Sequence, residues 1–283
     1  MSMRFLITGG GGMLGQDVAA AAIAAGHECD ALTHAELDIT EPNEIAAAIA
    51  AAAPDVVINC AAWTDVDGAE AAEPSASAVN GEGAGNVARA AREAGAWTLH
   101  ISSDYVFDGT KATPYVESDP TNPLSAYGRS KLAGERAVAE AAPETSSIVR
   151  SSWLFGVHGR CFPATILRLA AERDELSVVD DQVGCPTFTG HLARALIELA
   201  PARTPGILHV AGGGSCSWYE LAQAIVGLAD LDCEITRGTT AGQGRPAPRP
   251  AYSVLGSERG EEAPRLPDWR QGLEEYMRVG LRS

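Results

Sequence analysis

Short apolar runs alternate with alanine-rich amphipathic stretches through the first half of the chain. Phe5-Leu6-Ile7 reads as a buried parallel strand, and the stretch from Gln16 to Ala25 reads as a helix stopped by Gly26. The alternation continues with a strand from Glu28 to Thr33, a helix opened by Pro42 and running to Ala53, and a strand from Asp55 to Cys60. A long helix is expected from Pro74 to Ala94, ended by Gly95, and a strand from Trp97 to Ser102. Leu124 to Ala142 reads as a further helix and Ser147 to Arg150 as a further strand. Repeated β/α units of this kind predict an α/β fold: a Rossmann-type doubly wound parallel sheet with helices on both faces and right-handed crossovers. Ligands then sit at the carboxyl ends of the strands. That rule puts the turn Gly9–Gly15, Ala61-Ala62-Trp63, Ser102–Ser103 and Ser151–Trp153 along one crevice.

Beyond about Gly156 the units are less regular, with many Gly and Pro breaks. Helices are expected at Phe162 to Glu172, His191 to Leu199 and Ser217 to Leu228, the last with Ser217 as N-cap. Leu176 to Val179 and Ile207 to Val210 look like strands. This pattern predicts an NAD(P)-binding domain over residues 1–155, with room for later segments to add core strands. A smaller, mainly substrate-binding portion covers 156–283, interleaved with the first.

Composition narrows the partners. Hydrophobic residues at 46% and charged residues at 20% are ordinary for a globular protein. A net charge of -16 argues against nucleic acid as a ligand. Any phosphate site must then be locally basic or built from backbone N–H groups. The six cysteines (Cys29, Cys60, Cys161, Cys185, Cys216, Cys233) have no CxxC or Cys/His ligand spacing, as expected for reduced thiols in a cytoplasmic protein. No apolar run reaches the roughly 18 residues a membrane span needs, and Phe5–Ile7 passes straight into glycines, unlike a signal peptide. Oligomeric state, a homodimer included, is left open.

Two patterns carry chemistry. Gly9, Gly12 and Gly15 follow a strand and open a helix, the arrangement that lets backbone approach a pyrophosphate at a helix N-terminus; a Gly-rich turn without a ligand is the competing reading. Tyr127 and Lys131 stand four residues apart, hence on one helix face. An ammonium beside a phenol favours the phenolate and is expected to lower its pKa, fitting Tyr127 to pass a proton to or from an alcohol or ketone oxygen. Ser103 could hold that oxygen. Arg249, between Pro248 and Pro250, is either a surface charge or the local cation for a diphosphate. His158, His191 and His209 lack metal spacing. Asp65, Asp67 and Glu70 read as a helix-start acidic cluster, with a divalent cation such as Mg2+ the alternative.

Together with Leu37-Asp38-Ile39-Thr40, Asn59 to Asp67, Ser102-Ser103-Asp104-Tyr105-Val106-Phe107, Arg150 to Trp153, Asp181 to Thr187 and Arg249 to Ser253, these motifs resemble the extended short-chain dehydrogenase/reductase superfamily. Within it the chain is most similar to the dTDP-4-dehydrorhamnose reductase family, along nearly its whole length. The resemblance implies an NADPH- or NADH-dependent reductase of a dTDP-linked deoxysugar. Sugar-nucleotide epimerases and ketoreductases share the scaffold, as does the NADP-binding regulatory subunit of methionine adenosyltransferase. It further implies that Gly9, Gly12, Met13 and Leu14 wrap the pyrophosphate, that Asp38 and Ile39 border the adenine, and that Ala61, Ala62 and Trp63 lie along the cofactor. Tyr127 would be the proton donor, with Lys131 on the nicotinamide ribose and Ser103 on the substrate oxygen. Thr64, Val66, Ser103, Asp104 and Trp153 would border the sugar nucleotide. Asp38 could instead serve the start of the next helix, and Trp153 the core. Ser103 departs from the family's usual Thr but keeps the hydroxyl. At Thr33-His34, where the adenosine ribose is expected, there is neither an acid for a 2′-hydroxyl nor an arginine for a 2′-phosphate.

Overall fold

The computed structural model describes residues 2–280; Met1 and residues 281–283, the end of the expected substrate-binding portion, lie outside the described residues. Six strands form one sheet: β1 (Arg4–Thr8), β2 (Glu28–Leu32), β3 (Val56–Asn59), β4 (Trp97–Ser103), β5 (Ser146–Ser151) and β10 (Gly206–His209). Their order is β10-β5-β4-β3-β1-β2, and every neighbouring pair is parallel. The order reverses between β1 and β3, which opens a crevice at their carboxyl ends. Central strands β3, β4 and β5 are buried along their whole length; β3 is largely an apolar run, whereas β4 and β5 bury polar residues such as His100, Ser102 and Arg150 among apolar ones.

Helices cover both faces. On one, α1 (Met13–Ala24) packs with α8 (Thr189–Leu199), burying Phe5, Ile7, Val18, Leu192 and Leu196. On the other, α2 (Pro42–Ala52) and α5 (Ala84–Glu93) bury Leu6, Ile45, Ile49, Val57 and Val87, and α6 (Ala126–Ala141) packs beside α5. Both α8 and β10 come from beyond residue 156, so the first core draws on the later half of the chain. A second core joins α7 (Phe162–Ala170), α9 (Trp218–Leu228) and α11 (Trp269–Gly280) around Phe155, Leu221, Ile225, Trp269 and Leu273. Three small pairs complete it: β6 (Leu154–Phe155) with β9 (Thr187–Phe188), β7 (Glu175–Val179) with β12 (Glu234–Gly238), and β8 (Val183–Gly184) with β11 (Cys216–Ser217). The short helix α3 (Val66–Ala71) borders the crevice through Val66, α4 (Glu73–Ser77) follows it, and α10 (Thr240–Gln243) precedes the Arg/Pro segment.

The expected single helix from Pro74 to Ala94 is not uniform. Between α4 and α5 residues Ala78–Gly83 are π-helical. The extra residue re-aims Asn80, whose side chain accepts from Trp63 N (2.8 Å) and donates to Trp63 O (3.0 Å) and Ser130 Oγ (2.9 Å). It thereby ties the loop after β3 to α6. The helix α11 was not anticipated from the sequence, although its buried Trp269, Leu273, Tyr276 and Met277 keep helical spacing.

Candidate active site

The carboxyl ends of the sheet open into a cavity of about 1030 Å³. Of the residues expected at a site, Gly9, Gly12, Met13, Leu14, Asp38, Ile39, Ala61, Ala62, Trp63, Thr64, Val66, Ser103, Asp104, Tyr127, Lys131 and Trp153 all line it. Thr33 and Arg249 do not.

At one end, the turn from β1 to α1 meets the loop after β3. Gly9 has φ +69, and a Cβ there would lie 2.6 Å from Ala61 N, so the close approach of the two loops needs glycine. Gly12 is the N-cap of α1 and has no side-chain cap, and the first turn holds no acid. The leading N–H groups are therefore left for an anion, which fits a dinucleotide pyrophosphate in a protein this acidic. Asp38 lies three residues before the N-cap of α2 and does not cap that helix itself. It lines the cavity, and its Oδ1 accepts from Thr40 N (2.9 Å) and Thr40 Oγ1 (2.8 Å), while Glu41 is the N-cap of α2.

Thr33 lies off the cavity, and its N–H (2.9 Å) and hydroxyl (2.8 Å) are both taken by Glu36 Oε2. An acid thus does stand at the end of β2, returned there by the turn. These hydrogen bonds hold the Glu36 carboxyl below its usual range.

The catalytic candidates sit deeper. Ser125 caps α6, which places Tyr127 and Lys131 one turn apart facing β4. Lys131 is buried, and its Nζ donates to the Ile101 carbonyl at 2.7 Å. Burial pulls the ammonium down to about 8, with the Glu135 carboxylate opposing. Tyr127 stands edge-on to Tyr105, ring centroids 5.5 Å apart. Its phenol is pushed up to about 12 by burial, against the pull of the Ser103 hydroxyl. The expectation that Lys131 lowers Tyr127 is thus reversed here: desolvation dominates, and the ammonium is directed at a β4 carbonyl.

Ser103 ends β4; its Oγ donates to Asp104 Oδ1 at 3.1 Å and accepts from Tyr105 N at 3.2 Å. Asp104 is 1% exposed, and burial raises its carboxyl to about 7, countered in part by the hydroxyls of Ser253 and Ser103. From the ordinary carboxylate range near 4 up to about 7, the folded protein keeps a proton the unfolded chain has released. Asp104 therefore makes stability fall as pH rises across that window. Asp104→Asn is expected to raise the melting temperature at pH ~8 more than at pH ~4 while lowering turnover. Calorimetry at the two pH values checks this, and equal shifts at both would refute it.

Arg249 is drawn away from the cavity by Asp67. Its Nη1 and Nη2 meet Asp67 Oδ1 (3.0 Å) and Oδ2 (2.9 Å), while Arg245 Nη1 (3.3 Å) and Ala247 N (3.2 Å) bind the same carboxylate. The Arg249 hydrogen bonds hold Asp67 below its usual range. This clasp straps the 245–250 segment onto α3. The other acids of the cluster have their own partners: Asp65 Oδ1 accepts from Gly68 N at 2.9 Å, and Glu70 Oε1 from Ala126 N at 2.8 Å. Arg249→Ala and Asp67→Ala are each expected to lower stability. A double-mutant cycle should give a coupling of about 1–3 kcal/mol, and a coupling near zero would dissolve the clasp.

Three functional neighbours were not singled out from sequence. Asn80 is one; Glu135, one turn beyond Lys131, is another; Trp218, which also lines the cavity, is the third. The i,i+4 continuation Tyr127, Lys131, Glu135 was a usable signal for the second.

A family model described as the RmlD substrate binding domain matches residues 3–281. A dTDP-4-dehydrorhamnose reductase of Mycolicibacterium smegmatis is 44% identical over 283 residues, covering 98% of this chain and 86% of that protein. A probable dTDP-4,6-dihydroxy-2-methyloxan-3-one 4-ketoreductase of Streptomyces antibioticus is 45% identical over 280 residues, covering 96% and 94%. Among solved structures, a dTDP-4-dehydrorhamnose reductase of Bacillus anthracis in complex with NADP superimposes with a TM-score of 0.95 at 36% identity, covering 99% of this chain and all of that one.

Proposed function

The chain belongs to the RmlD substrate binding domain family, and we propose that it reduces the C4 ketone of dTDP-6-deoxy-L-lyxo-4-hexulose to give dTDP-L-rhamnose, with NADPH or NADH as reductant. The observation that carries this reading is one cavity with an uncapped helix N-terminus at its first end and Ser103, Tyr127 and Lys131 converging at its other. Its relatives named for reduction of dTDP-linked ketosugars support the substrate class.

When bound, the reduced nicotinamide supplies the hydride that the ketone carbon accepts. Ser103 Oγ, whose hydrogen meets Asp104 Oδ1 in the free protein, turns it to the ketone oxygen when substrate is bound and holds that oxygen toward the phenol of Tyr127. As negative charge builds on that oxygen, Tyr127 passes it the phenolic proton, and the alcohol forms. A phenol held near 12 keeps its proton until an alkoxide, a stronger base, asks for it. Lys131 brings a buried positive charge beside the reacting groups, which stabilises the tyrosinate left behind. Tyr105 and Trp63 help exclude water from the transfer. The six free cysteines suit the reducing cytoplasm in which we place this reaction.

Purified protein mixed with NADPH and the dTDP-ketosugar should consume reduced nicotinamide and release dTDP-L-rhamnose, identified by nuclear magnetic resonance. Loss of water from the sugar, or epimerisation without net reduction, would assign the protein to a different reaction. Cofactor choice should be permissive, with NADPH modestly preferred. Thr33→Asp is expected to move the ratio toward NADH by adding a carboxylate against a 2′-phosphate, and Glu36→Gln to move it the other way. Unchanged ratios in both variants would place the adenosine ribose elsewhere.

A further inference from the structure

Trp153 is held in an unusual way. Its backbone lies in the left-handed region at φ +47, which a bulky residue rarely adopts. The indole rests on the backbone of Gly184: a Cβ there would lie 2.4 Å from Cε2, 2.6 Å from Nε1 and 2.8 Å from Cζ2. Trp218 stacks on the same indole with centroids 3.5 Å apart and planes within 3°. No Trp218 atom comes as near that Cβ position as the three Trp153 atoms do, so Gly184 and Trp218 cover opposite faces. Phe162 then packs on Trp218 at 4.5 Å, tilted 50°. With both faces covered, Trp153 turns only an edge toward the cavity.

Trp218 is itself anchored. Its Nε1 donates to Gln182 Oε1 at 3.1 Å, and Gln182 Nε2 donates to Thr240 Oγ1 at 2.8 Å. Ser217 and Glu220 form a capping box that fixes the start of α9, where Trp218 is the first residue. The indole pair is therefore a rigid wall of the cavity assembled from β8, α9 and the loop after β5.

We propose that Trp218 is a positioning and specificity-determining residue of the sugar end of the cavity, locking the Trp153 indole edge-on so that hexose rings are selected by shape. A free indole face accepts many sugars, because apolar ring faces differ little among hexoses. A fixed edge admits only rings whose substituents clear it, and its polarised rim prefers an oxygen opposite. This inference rests on the ketosugar reading above, and it identifies a wall of that same site.

Trp218→Ala is expected to raise KM for the dTDP-ketosugar by about 10–100-fold, with a smaller loss in kcat and unchanged NADPH affinity. It should also narrow the gap in kcat/KM between this substrate and a dTDP-4-ketosugar differing at C2. Trp218→Phe keeps a flat ring against Trp153 and should recover most of the KM. If Trp218→Ala does not fold, Gln182→Leu, which removes the anchor alone, should still raise KM. The stacked indoles should give the wild type an exciton couplet in circular dichroism that both Trp218 variants lose and that saturating dTDP-L-rhamnose leaves in place. Wild-type KM in Trp218→Ala or Gln182→Leu, or a couplet abolished by the ligand, would overturn the proposal alone. A wild-type protein that does not turn over the ketosugar would overturn the function and this inference together.

Discussion

Replacing Tyr127 by Phe is expected to lower turnover by about 10²- to 10⁴-fold, or roughly 3–5 kcal/mol of barrier, while NADPH affinity and melting temperature stay near wild type. Its hydroxyl is the acidic group aimed at the cavity from the catalytic helix, and Ser103, an aliphatic alcohol far less acidic than a phenol, is no substitute. The ring itself supplies the packing against Tyr105, which Phe retains. Removal of an interaction made only in the transition state lowers kcat and kcat/KM together. Stopped-flow turnover with a parallel titration of NADPH separates the two contributions. More than about a tenth of wild-type turnover with normal cofactor binding would remove Tyr127 from the chemistry.

Arg150→Met is expected to destabilise the protein by about 3–5 kcal/mol, the cost of leaving a buried carboxylate without its cation. Arg150 reaches from β5 to α6, where Nε and Nη2 meet Glu135 Oε1 (2.8 Å) and Oε2 (2.7 Å), both side chains being almost fully buried. Ser102 donates to Glu135 Oε1 at 2.6 Å, and Arg150 Nη1 lies 3.3 Å from His209 Nε2. The other ring nitrogen of His209 faces the carbonyls of Tyr115 (3.1 Å) and Gly256 (2.8 Å), so it carries the hydrogen and leaves Nε2 to accept from Arg150. Burial, and then the Arg150 charge, keep His209 neutral by lowering its pKa. The double variant Glu135→Gln/Arg150→Met should recover much of the loss, because no unpaired charge is then buried. Denaturant titration of the wild type and the two variants checks the ordering. A single variant as stable as wild type would show the pair to be solvated. Because Glu135 also opposes the desolvation of Lys131, the double variant, which removes that carboxylate, should lower the pH at which Lys131 loses its proton.

Local patterns were sufficient for the sheet and for most of the candidate site. Strand, glycine turn and helix are contiguous in β1 and α1, and Tyr127 and Lys131 need only helical spacing to meet, so both are legible as spacing along the chain. The crevice followed from β/α alternation, since carboxyl strand ends share one edge of a parallel sheet. What only the tertiary structure decided depends on residues far apart in sequence. Arg249 was free to be a diphosphate contact until Asp67, 182 positions away, claimed it. A carboxylate at the end of β2 was not legible until a turn brought Glu36 back onto Thr33. Trp153 was open between bordering the sugar nucleotide and serving the core until Trp218 and Gly184 covered its two faces. The pKa order of Tyr127 and Lys131 also lay beyond sequence, because burial, which depends on everything packed around a group, outweighed the charge one turn away.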